Sequence, residues 1–165
     1  MTARRARPAT ARPAARSGTR SGDAAAAESG AGVLVDTGVL VSLFDRLDTH
    51  HGAVSNWMAR NDSALLTVAP VLSETAFFLP ARLRAALAAL AARGVLQVRH
   101  PDAGAYARIG QLFVKYADQD PDWADLELVW LAEATGIRRI ATLDVADFSV
   151  YRIHGRKRFE LELLR

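Results

Sequence analysis

Two apolar runs in this sequence end on an aspartate: "VLV" runs into Asp36 and "RRIATL" into Asp144. An acid at the carboxyl end of a buried strand stands where open parallel sheets form their ligand sites. A local reading also exists for each. "D-T-G" is good turn chemistry for Asp36, and Asp144 suits the cap of a helical turn, with Asp147 able to do the same one turn later. Glu74 lies inside the helical stretch "PVLSETAFFL", with Phe77 and Phe78 at i+3 and i+4, so its carboxylate is expected beside an apolar stripe. Its local alternative is a partly exposed acid favoured by the helix dipole. Asp125 precedes Leu128, Val129 and Ala132 at i+3, i+4 and i+7 and shares their inward face, although "D-W-A-D" also resembles a capping box begun by Asp122. Asp118, Asp120 and Asp122 themselves read as a solvated loop.

Considered jointly, Asp36, Glu74, Asp125 and Asp144 come from four separate elements and point toward core or cleft. Carboxylates crowded into one pocket repel and raise one another's pKa unless a cation neutralises them. Oxygen-only donors in a chain with no cysteine favour a hard ion, Mg²⁺ or Mn²⁺, which keeps waters for a substrate phosphate to replace. The chemistry such a cluster suits is metal-assisted hydrolysis of a phosphodiester.

The elements that must position these acids alternate between short β-rich runs and helical segments, the pattern of an α/β domain with a mostly parallel sheet. Strands are expected at 33–36, 64–68, 95–98, 139–143 and 158–163, the last being the weakest pattern. Helices are expected at 39–46, 50–60, 70–79, 81–93, 102–117 and 122–135. Gly94 and Gly136 fall where left-handed caps end helices. Asp36 and Asp144 become neighbours only if their two strands are adjacent in the sheet.

Composition bounds the rest. Of 165 residues half are hydrophobic and 24% charged, enough for one domain with a core and without the long apolar run of a membrane helix. The formal net charge is +3, but residues 1–32 hold six arginines against Asp23 and Glu28, so the remaining 133 residues carry a net charge of −1. That Ala/Arg-rich extension has nothing to bury and is expected to be disordered. Its Arg-rich start would suit loose RNA binding, an organelle transit peptide or translation from an upstream start codon. The folded domain is expected at 33–165, in a reducing, cytoplasmic setting given the absence of cysteine.

In the order and spacing of "VLVDTGVLVSLFDRLDTHH", "LLTVAPVLSETAFFL" and "ADLELVWLAEATGIRRIATLDVADFSVYR", the chain resembles the PIN domain ribonucleases, in particular the VapC-type toxins of prokaryotic toxin–antitoxin pairs. The resemblance spans Val33 to about Leu164. It implies a three-layer α/β/α sandwich around a roughly five-stranded parallel sheet, and acids binding Mg²⁺ or Mn²⁺ at Asp36, Glu74, Asp125 and Asp144. Asp147 becomes an auxiliary or substitute for Asp144, and Thr37 and Thr142 become groups that orient a carboxylate or a metal-bound water. The implied activity is endoribonuclease cleavage of RNA, restrained by a small cognate antitoxin, with a homodimer expected and no membrane partner.

The nearly neutral domain needs basic groups to attract a phosphate backbone. "YRIHGRKRFE" supplies Arg152, Arg156, Lys157 and Arg158, with Tyr151 available for stacking. The alternative for this stretch is a charged edge strand that resists aggregation. His50, His51, His100 and His154 show no ligand spacing with the acids. Two other function classes stay open: a PIN-like RNA- or protein-binding module without cleavage, and a different Mg²⁺ enzyme with an acid after its first strand. A haloacid dehalogenase-type phosphatase would want a second Asp two residues after Asp36, where Gly38 stands. A receiver domain would want paired upstream acids and a late Lys, whereas the only lysines are Lys115 and Lys157.

Overall fold

A computed structural model describes residues 31–163, and the N-terminal extension falls, up to residue 30, outside them. Five parallel strands form one sheet: β1 (Val33–Val35), β2 (Leu65–Val68), β3 (Leu96–Arg99), β4 (Arg139–Ala141) and β5 (Glu160–Leu161). Their spatial order is β3-β2-β1-β4-β5. Seven α-helices connect and cover them: α1 (Thr37–Phe44), α2 (His51–Arg60), α3 (Ala69–Phe78), α4 (Ala81–Ala92), α5 (Ala103–Lys115), α6 (Trp123–Thr135) and α7 (Val145–Val150). A 3₁₀ turn occupies Ala117–Gln119.

The order explains where a site can form. From β1 the chain winds outward through β2 and β3 on one side, then returns to lay β4 and β5 on the other. The reversal falls between β1 and β4, whose registers pair Leu34 with Ile140 and Val35 with Ala141. Chains leaving those two strands diverge to opposite sides and open a crevice at their carboxyl ends. The adjacency that Asp36 and Asp144 require is therefore met.

β1 is central and fully buried along its length, which is why its three residues are apolar on both faces. Leu66, Val68, Leu126, Leu128, Val129, Ile137 and Ile140 complete the core around it. One buried polar group strengthens this seam: the Thr67 hydroxyl of β2 donates to the Val35 carbonyl at 2.8 Å. Gly136 ends α6 at φ 74°, with its N–H bonded to the Ala132 carbonyl, the left-handed cap that its sequence position implies.

Four expectations need correction. The first helix begins at Thr37 rather than 39, because the Asp36 side chain accepts from the Thr37 N–H and starts the turn immediately. "VADFSV" is a separate seventh helix, and the last strand is reduced to Glu160–Leu161. Finally, Phe77 and Phe78 do not face the core: they are 80% and 64% exposed, while Val71, Thr75 and Leu79 make the buried stripe around α3.

Candidate active site

At the crevice between β1 and β4 lies a concavity of about 620 Å³, lined by Asp36, Glu74, Asp122, Asp125, Asp144 and Asp147 together with Thr37, Gly38, Leu143, Phe77 and Phe78. The four acids singled out in the sequence and the auxiliary Asp147 thus share one wall-to-wall space. Each arrives on a different device. Asp36 is the residue after β1 and the N-cap of α1, Glu74 comes from the middle of α3, Asp125 from the first turn of α6, and Asp144 from the N-cap of α7. For Asp36 and Asp144, capping a helix and lining the cleft coexist, since a cap uses one oxygen and leaves the carboxylate at the cleft.

Hydrogen bonds fix the carboxylates. Asp36 accepts from the Thr37 N–H at 2.6 Å on one oxygen and from the Thr142 hydroxyl at 2.8 Å on the other. Thr142 in turn accepts from the Asp144 N–H at 2.8 Å, so one hydroxyl ties the ends of β1 and β4 together. The Thr37 hydroxyl donates to Glu74 Oε2 at 2.8 Å. Both threonines thus orient carboxylates directly.

Two residues at this site escaped the sequence reading. Asp122, read from the sequence as a solvated loop residue or as the start of a capping box, does cap α6 by accepting from the Asp125 N–H at 2.8 Å, and it also lines the pocket. It is solvent-exposed, but its charge faces Asp36, Glu74 and Asp125. Tyr151, expected to stack on RNA, is fully buried, its ring packed edge-on against Tyr116 and Phe148 at 5.1 and 5.5 Å. Its hydroxyl donates to Asp125 Oδ2 at 3.0 Å. The "D-W-A-D" spacing carried the signal for Asp122; nothing in the sequence tied Tyr151 to Asp125 across 26 residues.

Burial and mutual repulsion govern the electrostatics. Desolvation lifts the Asp36 carboxyl to about 6 against the hydrogen bonds of Thr142 and Thr37. Asp125 is lifted further, to about 8, by desolvation and by the charges of Asp122 and Asp36. Burial also raises Glu74 and Asp147, with Asp122 adding to each. Among the described residues, no Lys, Arg or His lines this pocket.

Such a donor set suits a hard divalent cation. All six acidic groups present oxygen, and burial raises the two most buried, Asp36 and Asp125, above the ordinary carboxylate range, a penalty that a bound cation would offset. Among the described residues, no three His, Asp or Glu side chains are grouped tightly enough to enclose an ion as they stand.

The remaining sequence candidates lie elsewhere. The Arg152 guanidinium donates to the carbonyls of Ser149, Val150 and Tyr151, closing the end of α7. Arg156, Lys157 and Arg158 are exposed, and none of the four lines the acidic pocket. His51 bonds the Ser42 carbonyl through Nδ1 at 2.7 Å, a structural contact.

Comparison with known proteins bears on this geometry. Ribonuclease VapC26 of Mycobacterium tuberculosis is 31% identical over 131 residues, covering 77% of this chain and 97% of that protein. The crystal structure of VapC20 from the same organism, described as a Sarcin-Ricin loop cleaving toxin, superposes with a TM-score of 0.67 at 20% identity, over 74% of this chain and 98% of that one. At that identity the second likeness speaks for the fold. The family model of the PIN domain matches residues 33–152. With that match running from the first residue of β1 to the residue after Tyr151, the chain belongs to the PIN domain family, in its VapC-type branch.

Proposed function

We propose that this protein is a Mg²⁺- or Mn²⁺-dependent endoribonuclease and the toxin of a two-component module, held in check by a small antitoxin and assembled as a homodimer. The observation that carries the reading is the convergence of Asp36, Glu74, Asp125 and Asp144 on one pocket at the sheet's switch point, with Asp36 and Asp125 desolvated and no basic side chain among them. The first of the two relatives adds to it, being named a ribonuclease.

In this reading Asp36, Asp125, Glu74 and Asp144 hold the ion, and Asp122 and Asp147 deepen the negative field around it. When bound, the divalent ion supplies the charge neutralisation and Lewis acidity that let water cleave a phosphodiester. The chain's own part is positioning. Thr142 and Thr37 fix the Asp36 carboxylate, Thr37 fixes Glu74, and Tyr151 leaves Asp125 one oxygen free to face the pocket. The paired ends of β1 and β4 hold Asp36 and Asp144 side by side.

The test is direct. Purified chain incubated with single-stranded RNA should cut it when Mg²⁺ or Mn²⁺ is added and stop when EDTA is in excess. Cleavage that persists in EDTA, or an absence of cleavage in both metals while RNA is still bound, would replace this reading with metal-independent chemistry or with a binding module.

A further inference from the structure

Among the described residues six carboxylates and no basic side chain line the acidic pocket, so these groups by themselves repel the polyanion the pocket would have to cleave. Attraction has to come from beside it. A second concavity of about 530 Å³ adjoins the first, with Phe78 lining both. It runs between the end of α1 with its following turn, Phe44 to Leu47, and the α3–α4 junction, Phe78 to Leu83. Arg46 and Arg82 line it, both are exposed, and neither enters an ion pair among the described residues. Its single acid, Asp45, accepts from the Leu47 N–H, which leaves the groove with a net positive charge beside a strongly negative pocket.

The lip between the two concavities is aromatic. Phe77 and Phe78 expose most of their surface, with ring centroids 5.4 Å apart and planes nearly perpendicular. Two adjacent phenylalanines in solvent forgo a large apolar burial, and here they stand where a strand leaving the acids would enter the arginine-lined groove. Every base offers a π-face, so exposed aromatic rings bind single strands with little regard to sequence.

We propose that this second groove is the track for a single-stranded RNA substrate, with Phe77 and Phe78 stacking unpaired bases next to the scissile phosphate and Arg46 and Arg82 holding backbone phosphates beyond them. The assignment rests on the ribonuclease reading of the acidic pocket and gives that pocket its substrate path. Val41, Phe44, Leu47, Leu79, Pro80 and Leu83 also line the groove, and that apolar floor would suit a protein segment. Two guanidiniums without an ion-pair partner among the described residues favour the polyanion.

The experiment compares the parent chain with R46A/R82A, F77A/F78A and the rival basic cluster R156A/K157A/R158A, using a fluorescein-labelled mixed-sequence single-stranded RNA. Cleavage is followed in Mn²⁺, binding by anisotropy in EDTA over a salt series, and folding by thermal melting. R46A/R82A is expected to raise KM by roughly tenfold and to flatten the log–log salt dependence of binding by about 1.4, the share of two phosphate contacts on a single strand. F77A/F78A should raise KM by roughly tenfold with the salt slope unchanged. The proposal is overturned if both double variants keep the parental KM and salt slope, or if the loss falls on R156A/K157A/R158A instead. It is also overturned if F77A/F78A binds RNA normally but no longer retains a co-expressed antitoxin, since the groove would then belong to a protein partner. A parent chain that binds RNA without ever cutting it sinks the ribonuclease reading alone, and the anisotropy series still decides the track.

Discussion

At the scale of single residues the site is a set of carboxylates held against their own preference. Asp125 shows this most clearly, with a carboxyl lifted to about 8 in the fold against 3.8 for the free side chain. Between those values the native state binds more protons than the unfolded chain, so stability must fall as pH rises from about 4 toward 8 in the absence of divalent ions. Asp36, lifted to about 6, adds to the same slope over the lower part of that window. Asp125→Asn should therefore flatten the pH dependence of the melting temperature and raise it at pH 8, while abolishing cleavage. A parallel, equally steep pH profile in the variant would show that Asp125 is not the group responsible. Tyr151→Phe tests the support beneath it. The ring contacts to Tyr116 and Phe148 survive, but the hydroxyl that donates to Asp125 is lost. Removing such an outer partner weakens a metal site by roughly 10- to 100-fold, so half-maximal cleavage should need that much more Mn²⁺ with the fold intact. Unchanged metal dependence would reduce Tyr151 to a core residue.

At the scale of elements, the sequence was informative wherever one physical cause dominated. Buried strands announce themselves by continuous apolar runs, and β1, β2 and β4 follow them closely, as does the stop of α6 at Gly136. Substituting that glycine tests the cap alone, because an added Cβ would meet no atom within 4 Å. Gly136→Ala should cost about 1–2 kcal/mol through its left-handed backbone, read as a lower urea midpoint with unchanged RNA cleavage. Periodicity failed on α3, where Phe77 and Phe78 carry the apolar pattern yet face solvent beside the acids. The spacing of apolar residues is the same for a core face and for an exposed aromatic lip. The extents of β5, expected at 158–163, and of α7, expected only as a helical turn capped by Asp144, were misjudged, since runs of only a few residues give too little pattern to fix their ends. Asp122 was legible as a cap but not as a pocket wall, because the two look alike in sequence; that its charge acts on Asp36 emerges only once the chain is folded.

For the whole molecule, topology does the assembling. Acids separated by up to 108 residues, from Asp36 to Asp144, meet because β1 and β4 are neighbours at the point where the chain reverses its direction of winding. The order of the motifs made that architecture legible, whereas side-chain partnerships across the sheet, such as Thr142 with Asp36, emerge only once the chain is folded. A cation that binds only the folded chain must stabilise it. Mn²⁺ should thus raise the melting temperature, and more at pH 8 than at pH 5, because fewer carboxyls must then release protons to bind it. An equal rise at both pH values would mean that the ion binds elsewhere. The central claim, that the converged acids cleave RNA, is tested most directly by cleavage of labelled RNA in Mn²⁺ by Asp36→Asn and Asp125→Asn proteins whose melting curves show them folded. The account predicts that both lose at least about 100-fold of the parental rate, the scale at which lost positioning and charge stabilisation are felt. Folded variants that cut as fast as the parent would contradict it.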